Sequence, residues 1–381
     1  MQSALIKLPK RNGVAPASPV RWRGSALHSE TTLHQISPYI GKIKSSIAAE
    51  LIGAFTEPGH TIYDPFCGSG TVGLEAWLAG RHIVANDLSP YALLLTEAKL
   101  KPYESISAAL KDIALLAPSA ILAAYSVRSR PVPGWVRVFF HPRTLSEILG
   151  WIEVLKEYDK SFLLACLMGI LHHQRPGYLS FPSSHTVPYL RTKRFPSRQY
   201  PQLYSYRNVR DRLEAKVRRA LRRTPQFDYS LHRSIYRASA DNLIPPHGAD
   251  AIITSPPYMH QLDYGRDNRL RLWFLGTEDW KNLDKQVSPS ESQFLDIMRR
   301  CFELWLSVLR PAGSCVLVLG DIKSHIYRKP LPAVLSTIAT KEIGGYRIKW
   351  KHTEHIPEER RVRRGKTGSI RETILAMERM A

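Results

Sequence analysis

The pattern of hydrophobic and polar positions divides the chain into two kinds of territory. Between about 60 and 100, short apolar runs alternate with helical spacings across brief turns. "HTIYD" (60–64) predicts a strand, "PFCGSG" (65–70) a glycine-rich turn and "TVGLEAWLAG" (71–80) a helix closed by glycine. "RHIVAND" (81–87) is the next strand and "LSPYALLLTEAKL" (88–100) the next helix. Upstream, "ISPYIGKIKSSIAAELIGAF" (36–55) predicts a loop leading into a helix. A βαβα unit with short connections predicts a parallel α/β sheet.

Residues 103–235 break that rhythm. They carry helical patterns ("ESISAALKDIALLAPSAIL", "TLSEILGWIEVLKEY", "SFLLACLMGILHH"), then a proline- and tyrosine-rich loop, then a very basic segment. The alternation returns at "ADNLIPPHGADAIITS", and an amphipathic helix follows at 293–309. "GSCVLVLG" (313–320), "YRIKWKHTEHI" (346–356) and "SIRETILAME" (369–378) predict the last strands. The expected organisation is therefore an N-terminal arm (1–35), a catalytic α/β domain in two pieces (36–102 and 236–381) and an inserted, mainly helical domain (103–235).

Composition changes this picture in one respect. The 381 residues include 54 Lys and Arg against 33 Asp and Glu, a formal charge of +21. An excess of that size says little about fold but favours a polyanionic partner. The four cysteines, at 67, 166, 301 and 315, form no CxxC pair, which points to a reducing compartment without disulfides or a zinc site. The N-terminus lacks a signal-like apolar core, and the run "FLLACLMGIL" (162–171) is too short to span a bilayer, so an intracellular, cytoplasmic protein with no membrane partner is expected. His172, His173 and His185 lack an accompanying carboxylate set, and adjacent histidines on a helix diverge, so no metal is expected.

Two stretches carry candidate chemistry. In Asp64–Gly70, a strand ends in an acid and small residues then let the backbone turn closely around a ligand. Asp87, about 20 residues on at the end of the next strand, is placed to accept hydrogen bonds from ribose hydroxyls. A nicotinamide dinucleotide is disfavoured, because the turn is not GxGxxG and Asp64 would meet a pyrophosphate with like charge. An acid there suits an ammonium group, as in the amino-acid end of S-adenosylmethionine. The second stretch is "DAIITSPPY", where a buried strand runs into Ser255-Pro256-Pro257-Tyr258. An exocyclic amino nitrogen is a poor nucleophile until acceptors pull on its hydrogens. The Ser255 hydroxyl and the Pro256 carbonyl supply two acceptors at a corner that the prolines fix in advance, and Tyr258 can stack on a base flipped out of a duplex.

These motifs resemble those of the S-adenosylmethionine-dependent DNA amino-methyltransferases, which modify cytosine N4 or adenine N6. "DPFCGSGT" looks like their cofactor motif, "SPPY" their catalytic motif, "ISPYIGKIK" the segment closing over the methionine end and "ADNL" (240–243) the segment whose acid contacts the adenine. The resemblance implies a Rossmann-like methyltransferase fold: a mostly parallel seven-stranded sheet with a late antiparallel hairpin. It implies S-adenosylmethionine as cofactor, held by Pro38, Tyr39, Lys42, Asp64, Pro65, Phe66, Gly68, Ser69, Gly70, Thr71, Asp87, Leu88, Asp241 and Asn242. Ser255, Pro256, Pro257 and Tyr258 are the expected catalytic residues, with direct transfer and no covalent intermediate. Serine in first place leans toward cytosine N4, while some adenine enzymes of the family also carry it. The sequence departs from the family's usual order in placing the insertion between Asp87 and Asp241.

Double-stranded DNA is the expected partner, with a cognate restriction endonuclease as a further one. Arg191, Lys193, Arg194, Arg198, Arg207 and Arg210, interleaved with tyrosines, form one expected contact surface; Tyr264 and Arg266 after the catalytic motif, and Arg361, Arg363 and Arg364 between the last strands, form others. Asp321 is either at the edge of the site or a helix cap. An RNA amino-methyltransferase and a non-catalytic nucleic-acid-binding protein on a methyltransferase fold are the alternatives.

Overall fold

The computed structural model describes residues 30–126, 131–184, 187–257, 263–356 and 371–380. Seven strands form one sheet: β1 (Thr61–Asp64), β2 (His82–Asn86), β3 (Arg233–Tyr236), β4 (Ala249–Thr254), β5 (Leu309–Gly320), β6 (Tyr346–His355) and β7 (Arg371–Arg379). Their order is β3-β2-β1-β4-β5-β7-β6. The first five run parallel, whereas β7 is antiparallel to both β5 and β6. This is the Rossmann-like S-adenosylmethionine methyltransferase fold, with the late hairpin wedged against β5.

The helices are α1 (Ser45–Phe55), α2 (Thr71–Leu78), α3 (Pro90–Leu100), α4 (Ile106–Ser126), α5 (Gly134–Arg137), α6 (Pro142–Glu157), α7 (Ser161–Gly169), α8 (Val209–Ala220), α9 (Tyr264–Phe274), α10 (Trp280–Val287), α11 (Glu291–Val308) and α12 (Leu331–Thr337). Alternation along the strands sends side chains to opposite faces. Ile62, Ala251, Ile253, Val316 and Val318 join one core with α1–α10, while Tyr63, Ile252, Cys315 and Leu317 join another with α11 and α12.

The inserted helices do not build a core of their own. Ile113, Ile148, Leu163, Val209 and their neighbours belong to the core that also holds α1–α3. The expected boundary at 235 falls inside β3, which pairs with β2. That edge strand went unpredicted because "RSIY" is four residues long, half-buried throughout and has no apolar run. The α4 helix is 21 residues long and apolar enough by composition to cross a bilayer, whereas the expected longest apolar run was the shorter 162–171. Its inner face is packed on α6 and α8. His172 gives a hydrogen bond at 2.8 Å between Nδ1 and the Ser184 carbonyl, and His173 stacks on Tyr178; among the described residues no cluster suited to a metal occurs.

Gly150 brings α6 onto α4. A Cβ there would lie 2.4 Å from the Ala120 carbonyl oxygen and 2.6 Å from the Ala124 nitrogen, both backbone atoms. Neither can swing aside, so the helices would have to separate. Gly150→Ala is expected to lower unfolding free energy by about 1–3 kcal/mol despite the better helix propensity of alanine. Urea denaturation checks this; an unchanged midpoint would mean that the helix pair tolerates the methyl group.

Candidate functional site

Parallel strands end together, and crevices open outside their carboxyl ends where the strand order reverses direction. In this sheet that place is the boundary of β1 and β4. The turn after β1 leads into α2 through Gly70, at φ 68°; a Cβ there would lie 2.7 Å from the Thr96 hydroxyl oxygen, so glycine is needed for both backbone angle and room. Gly68, at φ 51°, lies beneath the Tyr39 ring, whose Cε1 would be 3.3 Å from an added Cβ.

The two strand ends are tied by Thr254. Its hydroxyl donates to Asp64 Oδ1 at 2.6 Å and accepts the Phe66 N–H at 3.3 Å. Asp64 is only 2% exposed, and burial pushes its carboxyl up to about 7 despite these hydrogen bonds and with a further push from Asp87. Asp87 accepts the N–H groups of Gly68 and Ser89, each at 2.9 Å, and burial likewise raises its pKa. Asn86 clamps the neighbouring walls: its amide donates to the carbonyls of Pro65 and Ala238, and its oxygen accepts the Ala238 N–H. Lys99, buried in α3, donates to the Ser69 carbonyl, with burial lowering its pKa well below the ordinary range.

These walls enclose a cleft of about 960 Å³ that is open to solvent. Tyr39, Lys42, Asp64, Pro65, Phe66, Gly68, Ser69, Thr71, Asp87 and Leu88 line it, and so do Ser255 and Pro257. The glycine turn after β1 and the Ser255–Pro257 corner thus share one cavity. Tyr264, expected on the DNA side, lines it too and stacks on Tyr39 with ring centres 6.2 Å apart. Sequence reasoning missed Asn86, Lys99, Thr254, Ser239 and Gln286. Asn86 and Thr254 each stand one residue before a predicted site residue, where a polar side chain closing an apolar strand was the available signal.

Other expected residues sit elsewhere. Pro38, Gly70 and Pro256 are not among the residues that line it; the Pro38 carbonyl accepts from the Tyr91 hydroxyl. Asp241 and Asn242 are also outside it. The Asp241 carboxylate is taken by the Ser239 hydroxyl and, at 2.7 Å, by Arg300, so the segment Ala238–Ala240 forms that wall instead. Asp321 is not in the lining, and its N–H joins the Arg371 carbonyl. Tyr258, Arg361, Arg363 and Arg364 lie outside the described residues.

Arg207 corrects the expected basic surface. It is 5% exposed, and its guanidinium donates to the carbonyls of Tyr178, Ser180 and Leu203. A buried guanidinium needs acceptors. Here it braces the loop instead of meeting phosphate, with burial lowering its pKa to about 10. Arg266 pairs with Asp263 and Asp267, Arg210 with Glu214, and Arg191 with Gln174. Lys193, Arg194 and Arg198 are exposed. The loop bearing them is anchored where Arg269 of α9 donates to the Pro188 carbonyl at 2.5 Å, and α9 begins with Tyr264 in the cleft.

Residues 37–114 match the family described as UPF0020, RMKL-like, methyltransferase domain. The cofactor this domain takes is S-adenosylmethionine. The chain is similar to the Type II methyltransferase M.BsoBI of Geobacillus stearothermophilus, with 25% identity over 66% of this chain and 54% of that protein. It is also similar to the Type II methyltransferase M.MjaII of Methanocaldococcus jannaschii, with 33% identity over 19% of this chain and 14% of that protein. The chain thus spans about half the length of the first relative and a small part of the second. Among solved structures, TrmN from Thermus thermophilus has 12% identity and a TM-score of 0.36, over 91% of this chain and 52% of that one.

The buried acid has a pH signature. Asp64 holds its proton up to about pH 7 in the folded state, while an ordinary aspartate releases it near 4. The folded state therefore binds more protons between these values, and this contribution to stability is full below about pH 4 and lost as pH rises through 7. Urea midpoints should fall over that interval by less in Asp64→Asn than in the unaltered chain. Thr254→Val, which removes a hydrogen bond that favours the carboxylate, should raise the Asp64 pKa further, as carboxyl NMR would record. Identical pH profiles for the Asn variant and the unaltered chain would exclude Asp64 as the source.

Proposed function

We propose that this protein is an S-adenosylmethionine-dependent methyltransferase that acts on an exocyclic amino group of a flipped base in double-stranded DNA, with cytosine N4 as the target. The observation that carries the reading is the Thr254 bridge, which sets Ser255 and Pro257 in the same cleft as Asp64, Gly68 and Asp87. Similarity to two Type II methyltransferases supports the class of reaction and the DNA substrate. The serine at 255 supports cytosine.

The cradle fits the cofactor by its chemistry. Asp64 offers a carboxylate to an ammonium group, Asp87 offers one to ribose hydroxyls, and Tyr39 and Gly68 line the wall beside them. When bound, S-adenosylmethionine supplies an electrophilic methyl group on a sulfonium. The Ser255 hydroxyl and the Pro256 carbonyl accept hydrogen bonds from the two amino hydrogens of the base, drawing the nitrogen lone pair out of the ring and toward the methyl group. The amino nitrogen would gain the methyl group as the bond between that carbon and the sulfonium sulfur breaks, leaving a neutral thioether, and would give up one proton to solvent. The two prolines hold the corner rigid, so little reorganisation is needed when the base arrives. Tyr258 stacks on the base. Phosphate contacts come from Lys193, Arg194 and Arg198, on the loop that Arg269 anchors beside the cleft.

Nucleoside mass spectrometry after incubation with labelled S-adenosylmethionine and duplex DNA should show N4-methylcytosine. Label on adenine would overturn the base assignment, and label on RNA alone the substrate. Ser255→Ala should lower turnover by about 10²–10³-fold while calorimetry shows cofactor affinity unchanged; Asp87→Ala should instead weaken the cofactor. Replacing Lys193, Arg194 and Arg198 with alanine should weaken binding to all sequences alike and reduce the salt slope by about one for each phosphate that is no longer neutralised. An unchanged slope would place the DNA on another face.

A further inference from the structure

The α4 helix has an anomaly that the cleft does not explain. A surface helix normally turns a polar face outward. The inner face of α4 is apolar as expected, with Ile113, Leu116, Ala117 and Ala120 buried against the helical layer. Its outer face over residues 114–125 is apolar as well. Leu115 is 73% exposed, Ile121 58%, Leu122 70% and Tyr125 61%, and Ala114 and Pro118 beside them are exposed. Residues 115, 118, 122 and 125 recur at the 3,4 spacing of a helix-pairing seam. No charged residue lies between 114 and 125, in a chain of net charge +21.

We infer that this face is the seam of a homodimer, in which α4 packs antiparallel on α4 of a second copy. The exposed parts of these side chains sum to roughly 600 Å², at the top of the range for an apolar patch on a monomer. Two such faces bury about 1,200 Å², which is where specific interfaces begin. A seam free of charge also lets two strongly basic copies meet without opposing cations across it. A two-fold axis needs only one self-complementary patch. The direction follows from the helix macrodipole, positive at the Ile106 end of α4 and negative at the Ser126 end. A parallel pair would set like helix ends against each other, while an antiparallel pair centred near residue 120 sets opposite ends together. The inner face of α4 is committed to α6 and α8, which argues against insertion of this helix into a bilayer.

Assembly through α4 is independent of the proposed reaction and can be measured without it. Sedimentation velocity of the full chain over a rising series of micromolar concentrations should move from one to two chain masses. Leu115→Glu with Leu122→Glu, both at exposed positions, should stay monomeric with an unchanged circular dichroism spectrum. All four natural cysteines are buried, so an introduced surface thiol is the one a short bis-maleimide reaches. In the antiparallel pairing, two Pro118→Cys sites lie about 6 Å apart along the axis, whereas two Ser107→Cys sites lie about 39 Å apart. Cross-linking at 118 and not at 107 supports the seam. A monomer at every concentration, equal cross-linking at both sites, or flotation of the wild-type chain with phosphatidylcholine vesicles that the double Glu variant loses would overturn it.

Discussion

The site depends on one hydroxyl. Thr254 closes an apolar strand with a group that both donates to Asp64 and receives the Phe66 N–H, and it does so one residue before Ser255. Those two bonds fix the end of β4 against the turn after β1. Without them, the end of β4 and the turn after β1 would be held together by the strand pairing alone. A parallel sheet supplies the alignment, since strands paired in register end at the same edge. The threonine converts that alignment into a fixed distance. Asn86 does the equivalent across the other wall, holding Pro65 and Ala238 together from the end of β2.

The electrostatics follow from the same enclosure. Asp64 and Asp87 stand close enough that the charge of Asp87 disfavours ionisation of Asp64, and burial raises the pKa of both. The hydrogen bonds that reach these two acids come from a hydroxyl and from backbone N–H groups, which carry no full positive charge. Two buried acids so placed are costly in isolation. That cost is the natural counterpart of a cationic ligand, which would relieve it on binding. Lys99 is engaged by the Ser69 carbonyl and stiffens the turn from behind.

Much of this was readable in the chain. The strands at 61–64, 82–86 and 249–254, the glycine turn and the late hairpin follow from period-2 apolar runs and abrupt breakers, and they sit within a residue or two of where the pattern puts them. What escaped has a common cause. β3 is short, polar and at an edge, so its pairing with β2 is decided by tertiary contact rather than by its own residues. Arg207 looked like one more member of a basic run, yet it is turned inward by three carbonyls that only the folded loop brings together. Asp241 was placed on the cofactor by its position in a motif, and Arg300, 59 residues away, holds it elsewhere. Local pattern reports period and turn chemistry; it does not report which distant partner claims a polar side chain.

The helical layer and the cleft are also mechanically joined, and the joint is the segment just before α1. Thr32 donates to the Ala220 carbonyl and accepts the Arg223 N–H, Thr31 donates to the Arg223 carbonyl, and Lys216 of α8 donates to the Gln35 carbonyl. His34 then pairs with Glu75 of α2 at 2.6 Å, Ser37 bonds the Tyr91 hydroxyl, and Tyr39 comes to rest over Gly68. One strap therefore runs from the arginine-rich helix to the ring that covers the glycine turn. Under such a connection, order at α8 and order at the Tyr39 ring are not independent: whatever fixes one end lowers the entropic cost of fixing the other. Placing the basic segment in the chain between β2 and β3 is what permits that link. A basic segment attached after β7 would have no strap to pull on.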